Sequence, residues 1–363
     1  MATLTHDPSS VPLRDRVSSE PVGDAFVPVP EIFAHDAPRP AQPDEGAVEY
    51  GRPTLYPTTG NPLPERITGG TVVTSDGLIL RTALCKPHVT PRGTVLLLQG
   101  RNECIEKYFE TMSDLAAKGF ATLTFDWRGQ GGSERVLKDP MRGHVRSFRD
   151  YEIDLRTVLD GPLGNTKGPV TLVGHSMGSL VALLAAPDLP ADVRRMVLLA
   201  PLIRLTHQPV GHKALRFLTR IIRLLGLGRL YAAMGPRPRA IPEFISNVLT
   251  TDRRRHERNG TIFVERPGLG MGGPTIAWLN SALAAMSRVT KPDHLARVAL
   301  PSVMIAAGDD QVVSTLAIEQ TVRSLRNANV LTVDGARHEL LQERDRYREQ
   351  VLAAVEAFAA KRS

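Results

Sequence analysis

Ser176 lies in Gly174-His175-Ser176-Met177-Gly178, directly after the apolar run Val170-Thr171-Leu172-Val173 and ahead of the helix-forming residues 179–186. Gly-x-Ser-x-Gly between a buried strand and a helix forces so tight a turn that the serine hydroxyl is pushed clear of the sheet. An isolated pentapeptide of this kind is an ordinary turn. The strand and helix around this one make Ser176 a nucleophile for acyl transfer, with the first-turn N–H of Met177 placed to bind a developing oxyanion.

Such a serine needs a base, and the base needs an orienting acid, in the chain order Ser, then Asp or Glu, then His. Of ten histidines, His338 follows the strand-like residues 329–333 and precedes the last helix, where α/β proteins keep their chemistry. His294, with no strand leading into it, reads as a surface helix start. His175 stands beside the serine and points elsewhere. The acid should end the preceding strand, residues 301–307, and either Asp309 or Asp310 could orient His338. The other then caps a turn. A second oxyanion donor is expected after an early strand, where Gly100 lets the amide of Arg101 face the site; Gln99-Gly100 stands where His-Gly is usual.

The set Gln99-Gly100-Arg101-Asn102-Glu103, Glu106-Lys107-Tyr108, Asp126-Trp127-Arg128-Gly129-Gln130-Gly131-Gly132-Ser133 and Gly174-His175-Ser176-Met177-Gly178 resembles the α/β-hydrolases of the monoacylglycerol lipase and lysophospholipase group. Gly143-His144-Val145 with Phe148 and Tyr151, and Gly272-Gly273-Pro274-Thr275 with Trp278, are similar to the bacterial lysophospholipase branch. The resemblance runs from about residue 63 to the C-terminus. Its Gly-x-Asp-x-Val-Val pattern falls on Gly308, Asp310, Val312 and Val313, and so implies Asp310 as the acid. It also implies a carboxylic ester with one acyl chain, a lysophospholipid or monoacylglycerol, and needs no cofactor. An aminopeptidase on the same scaffold, and a non-catalytic lipid-binding protein, are the alternatives.

The elements that must hold these residues alternate from residue 69 onward. A hairpin turns at Ser75-Asp76-Gly77, and residues 94–98, 121–125, 170–173, 196–200, 303–307 and 330–333 read as buried parallel strands. Helices are expected over 106–118, 148–159, 179–186, 316–325 and 344–360. This is the pattern of a doubly wound, mostly parallel sheet. It breaks over 202–295, read as a helical cap inserted between the core segments 66–201 and 296–363. Residues 1–65 hold 12 of the 28 prolines and no sustained period, so they read as a largely disordered arm whose later part, around Tyr50 to Tyr56, is expected to lie on the domain.

Composition narrows the remaining classes. No apolar run approaches the roughly 18 residues of a membrane span. No charged-then-apolar leader is visible, and two cysteines, Cys85 and Cys104, read as buried thiols in a cytoplasmic protein. No Cys/His spacing suggests a metal. The net charge of +7 is local, because segment 211–260 has eleven Lys and Arg against three acids, a surplus of eight. There Leu215, Leu218, Ile222 and Leu225 form one helical stripe beside Arg216, Arg220 and Arg223. The stripe is expected to pack on the core; its functional alternative is peripheral contact with anionic membrane. Nucleic acid is not expected, since no recognition module accompanies the arginines. Leu218, Ile222 and Trp278, with Ile221 and Leu225, are candidates to line or dock an acyl channel. Gly268-Leu269-Gly270-Met271-Gly272-Gly273 reads as a flexible turn, and Asp126 with Arg128 as one polar network in the pocket wall.

Overall fold

The Ser75-Asp76-Gly77 turn joins two antiparallel strands, β1 (Ile67–Val73) and β2 (Ile79–Cys85), with Gly77 at a φ of 88°. The computed structural model describes residues 48–165, 168–206, 211–236 and 240–360. After the hairpin come β3 (Thr94–Leu98), α1 (Phe109–Ala117), β4 (Ala121–Phe125), α2 (Phe148–Asp160), β5 (Val170–His175), α3 (Met177–Ala185) and β6 (Val193–Leu199). Four further helices follow: α4 (His212–Ile222), α5 (Arg253–Glu265), α6 (Ile276–Val289) and α7 (Pro292–Arg297). The chain then returns as β7 (Ser302–Ala307), α8 (Thr315–Val322), β8 (Ala328–Val333) and α9 (Asp345–Ala360).

All eight strands form one sheet in the order β1-β2-β4-β3-β5-β6-β7-β8, antiparallel at β1/β2 and β2/β4 and parallel elsewhere. This is the doubly wound, mostly parallel sheet that the alternation implied. Strands β3, β4 and β5 are buried at every residue, as unbroken Val, Leu and Thr runs covered on both faces must be. Helix starts are specified locally. Ser147 and Asp150 form a reciprocal capping box on α2, and the side chains of Asp252 and Thr275 cap α5 and α6.

Four expectations need correcting. The last strand is not buried: β8 is the sheet edge, paired only with β7, and four of its six residues are exposed. His294 is not on the surface, because α7 lies against the end of α3 and its imidazole donates to the Leu183 carbonyl at 2.9 Å. The glycine-rich stretch 268–273 is a pinned connector. Gly272 N–H donates to the Met141 carbonyl at 2.7 Å and Gly273 N–H to that of Gly235 at 2.7 Å. Finally, Asp126 and Arg128 belong to separate networks. Asp126 accepts from Arg81 and from the amides of Ile105 and Gly132, whereas Arg128 joins Asp76 in the hairpin turn to Asp154 on α2.

The expected insertion 202–295 is not uniform. The inner face of α6, including Trp278, Ala282, Leu283 and Met286, belongs to the main core. Helix α4 lies outside it, held to α6 by Asn280, which donates to the Arg216 carbonyl and the Thr219 hydroxyl at 3.0 Å each. Residues 1–47 of the expected arm lie outside the described residues. Residues 48–65 contact the domain: Tyr50 donates to the Gly268 carbonyl, and Asn61 to that of Glu106.

Candidate active site

Ser176 occupies the step between β5 and α3 with φ 49° and ψ −109°, a conformation non-glycine residues rarely take. The crossing is crowded enough to require its glycines. A Cβ on Gly174 would lie 2.8 Å from the Ser179 backbone, and one on Gly178 would lie 2.3 Å from the Leu98 carbonyl oxygen. Ser176 N–H donates to the Leu199 carbonyl at 2.9 Å, fixing the elbow to β6.

Two other strand ends converge on this hydroxyl. His338, in the loop after β8, places Nε2 3.0 Å from Ser176 Oγ and Nδ1 2.8 Å from Asp310 Oδ2. Asp310 follows β7, and its other oxygen accepts from the amides of Val312 at 2.8 Å and Val313 at 2.9 Å. Burial pushes this carboxyl up, but the hydrogen bond and charge of His338 and the two amides outweigh it, leaving it below the usual carboxylate value. Asp309 turns outward to Arg337 at 3.4 Å with half its side chain exposed. The structure thus brings Ser176, His338 and Asp310 together and leaves Asp309 aside. An Asp–His–Ser chain of this geometry can deprotonate the hydroxyl as it attacks a carbonyl and return the proton to the leaving group.

The expected oxyanion donors lie on the two elements nearest the hydroxyl. Met177 is the first residue of α3, and Arg101 follows β3, whose end Leu98 pairs with Gly174. Gln130 spans both, accepting from the Asn102 amide at 2.7 Å and reaching Met177 Sδ at 3.7 Å. Trp127 Nε1 donates to the Gln99 carbonyl at 2.9 Å. The Arg101 guanidinium donates to the Gly272 carbonyl at 2.7 Å and lies over the Trp278 ring.

His175, set aside in the sequence, lies buried under the site. Its Nδ1 is 3.2 Å from Glu103 Oε1 and its Nε2 is 3.1 Å from the His338 carbonyl oxygen. Glu103 also accepts from the Gly100 amide, from Lys107 Nζ at 2.7 Å and from the Tyr108 hydroxyl at 2.5 Å. Lys107 bridges on to Glu339 at 2.6 Å, next to His338. The Glu103-x-x-x-Lys107 spacing is the one local trace of this cluster in the sequence.

The acyl-channel candidates separate. Trp278 is in the core, donating Nε1 to the Tyr151 hydroxyl at 3.1 Å and packing on Phe148. Ile222 is half-buried, and Leu218 is exposed. The expected burial of the apolar stripe holds only in part. Leu215, which packs on the core, and Ile222 are half-buried, whereas Leu218 and, beyond α4, Leu225 are exposed, and Phe217 and Leu224 add 67% and 72% exposed side chains beside them. Among the described residues, no ion pair engages Arg216, Arg220 or Arg223, whereas Arg255 and Arg258 are spent on Glu110. Burial, then Arg229, Arg223 and Arg146, push the nearby His144 imidazole down to about 4. Among the described residues, no group of acids, histidines and cysteines is placed to hold a metal, and no helix is long and apolar enough to cross a membrane.

Residues 89–345 match the protein family described as serine aminopeptidase, S33. The sequence is 31% identical over 277 residues to lysophospholipase L2 of Escherichia coli, spanning 73% of this chain and 79% of that protein. It is 29% identical to a probable lysophospholipase L2 of Haemophilus influenzae, over 76% of this chain and 86% of the other. In three dimensions it is similar to a soluble variant of monoglyceride lipase from Saccharomyces cerevisiae, solved with a substrate analog. That match has a TM-score of 0.62 and 18% identity, covering 81% of this chain and 95% of that one, and it speaks to the fold.

Proposed function

Because the chain belongs to the serine aminopeptidase, S33 family, and is a hydrolase of the α/β type, we propose that it cleaves the ester of a single-acyl lipid through an acyl-enzyme. The observation that carries the reading is one imidazole 3.0 Å from Ser176 Oγ and 2.8 Å from Asp310. Ser176 Oγ bonds to the ester carbonyl carbon while His338 takes its proton. The amides of Arg101 and Met177 hold the oxyanion, and His338 returns the proton to the departing glycerol-type alcohol. Water, deprotonated by the same imidazole, then releases the fatty acid and restores Ser176.

The substrate class, a lysophospholipid or monoacylglycerol, rests on the names of relatives, lysophospholipase L2 and monoglyceride lipase. Aminopeptidase activity would need a free carboxylate to hold the substrate amine. Of the five acids in the insertion, Asp252, Glu257 and Glu265 are engaged by Arg255, Arg253 and the Thr59 amide, which leaves Glu243 and Asp293 against many arginines and makes the aminoacyl amide the discriminating substrate. A non-catalytic lipid carrier would have no use for the Asp–His–Ser chain. We read residues 202–275 as a cap whose outer face meets lipid, supported by the exposed Phe217, Leu224 and Leu225 beside Arg216, Arg220 and Arg223.

The test is labelling by a fluorophosphonate together with turnover of a monoacylglycerol, a lysophospholipid and an aminoacyl amide. Labelling should vanish in Ser176→Ala. Ser176→Ala and His338→Ala should each lose on the order of 10⁴- to 10⁶-fold in kcat on the lipid esters. Labelling that survives Ser176→Ala, or turnover confined to the amide, would sink the proposal.

A further inference from the structure

His175 presents two ring nitrogens to two acceptors, a carboxylate at Nδ1 and a backbone carbonyl at Nε2. A neutral imidazole carries one N–H and can satisfy one of them; an imidazolium satisfies both. The surrounding charges point the same way. Glu103 is a buried carboxylate and Glu339 a partly buried one, and Lys107, which bridges them, is one cation. With His175 neutral, the cluster would keep a net negative charge around the buried Glu103, which is costly. With His175 protonated, two cations meet two anions.

We propose that His175 is a constitutive imidazolium and a positioning residue, clamping the backbone of His338 to the oxyanion loop through Glu103. The clamp joins three segments. Glu103 holds the Gly100 amide of the oxyanion loop, His175 adjoins Ser176, and His338 supplies both the receiving carbonyl and the base. The fit is close: a Cβ on Gly100 would sit 2.8 Å from His175 Nδ1 and 2.9 Å from Glu103 Oε2.

The groups facing His175 are Glu103, Lys107, Tyr108, His338 and Glu339. Burial pushes its imidazole down, but the charge and hydrogen bond of Glu103 outweigh it, with Lys107 opposing and Glu339 assisting. The net is above the ordinary histidine value. Tyr108 is pushed well up by burial and Glu103, and stays a neutral donor. The clamp is therefore complete below about pH 6.5, the value of a free histidine, and loosens only as pH rises through the higher folded value.

The clamp's consequence for turnover rests on the ester-hydrolase reading, but its protonation state does not, so the two fail separately. Nitrogen-15 NMR of histidine-labelled full-length protein, with the His175 signals identified by their loss in His175→Gln, should show both ring nitrogens protonated at pH 7.5. A single protonated nitrogen overturns the proposal. In Glu103→Gln, which keeps the shape and removes the charge, His175 should lose one proton at pH 7.5. Its kcat on a soluble short-chain ester should fall about 10- to 100-fold with KM within about 3-fold, as expected when the base is misplaced and binding is not. Circular dichroism checks its fold, and a misfolded variant leaves the wild-type spectrum to decide. Unchanged kcat in a folded Glu103→Gln overturns the positioning role.

Discussion

An imidazole can serve Ser176 as a base only in the tautomer that leaves Nε2 bare, and Asp310 selects it by accepting the proton on Nδ1. Asp310→Asn should therefore lower kcat by up to roughly 10⁴-fold with the fold intact. Asp309→Asn, which alters a partly exposed pair with Arg337, should change kcat by less than about 3-fold. Steady-state rates of the two variants on one ester decide, and the reverse ranking would move the acid to Asp309. At this scale the sequence is legible where the motif is local. Gly174, Ser176 and Gly178 sit within five residues, and the glycines answer to contacts that any strand–turn–helix crossing makes. It is illegible where partners are distant: residue types alone left Asp309 and Asp310 equivalent until the Gly-x-Asp-x-Val-Val resemblance. Nothing near His175 in sequence announces Glu103 or the His338 carbonyl.

Between the residues and the whole chain, two basic helices that look alike in sequence are used in opposite ways. Helix α5 turns Arg255 and Arg258 onto Glu110 of α1. Burial pushes the Glu110 carboxyl up, but its hydrogen bonds to both arginines outweigh this and hold it well below the usual value. Its contribution is present above the unfolded value of about 4.3 and lost as pH falls through the folded one. Glu110→Gln should thus lower Tm at pH 7 by about 3–8 °C, with the difference from wild type shrinking toward acid pH in calorimetric scans. An unchanged Tm would mean that α5 is held by other contacts. Among the described residues, no ion pair engages Arg216 and Arg220 of α4 or Arg223 just after it, and exposed leucines lie beside them. Replacing Arg216, Arg220 and Arg223 by Gln should cut activity on anionic vesicles about 10-fold or more and leave a soluble ester unaffected, with added salt mimicking the loss. Equal losses on both substrates would make α4 a structural lid. Periodicity located α4 but not α5, and the role of neither. An amphipathic stripe records that one face is apolar, while which face turns inward depended on Asn280, 61 residues beyond Thr219.

Over the whole molecule, the sheet was the most legible feature, because strands buried on both faces must be written as unbroken apolar runs. The exception, β8, is an edge strand whose Val330 and Leu331 imitate a central one. The boundary between arm and domain was legible in part: the stretch from Tyr50 to Tyr56 was expected to lie on the domain, but proline density marks no end point for the arm. From Tyr50 onward the chain is tied down. Arg135 stacks on the Tyr50 ring, the Thr54 carbonyl accepts from the fully buried Arg81, and the Tyr56 amide donates to Glu106. Arg81 in turn pairs with both Glu106 and Asp126, and Asp126 accepts from the Ile105 amide that follows the oxyanion loop. Two truncations should therefore behave differently. Deleting residues 1–45, a segment with eight prolines and no sustained period, should leave Tm and ester turnover unchanged. Deleting residues 1–65 strips hydrogen bonds from a buried Arg–Glu–Asp cluster, where unpaired groups are costly. It should lower Tm by more than about 5 °C and reduce kcat together with it. Thermal scans of the two proteins side by side provide the measurement. A stable, active 1–65 deletion would show that the cluster stands without the arm, and a destabilised 1–45 deletion would show that docking begins earlier in the chain.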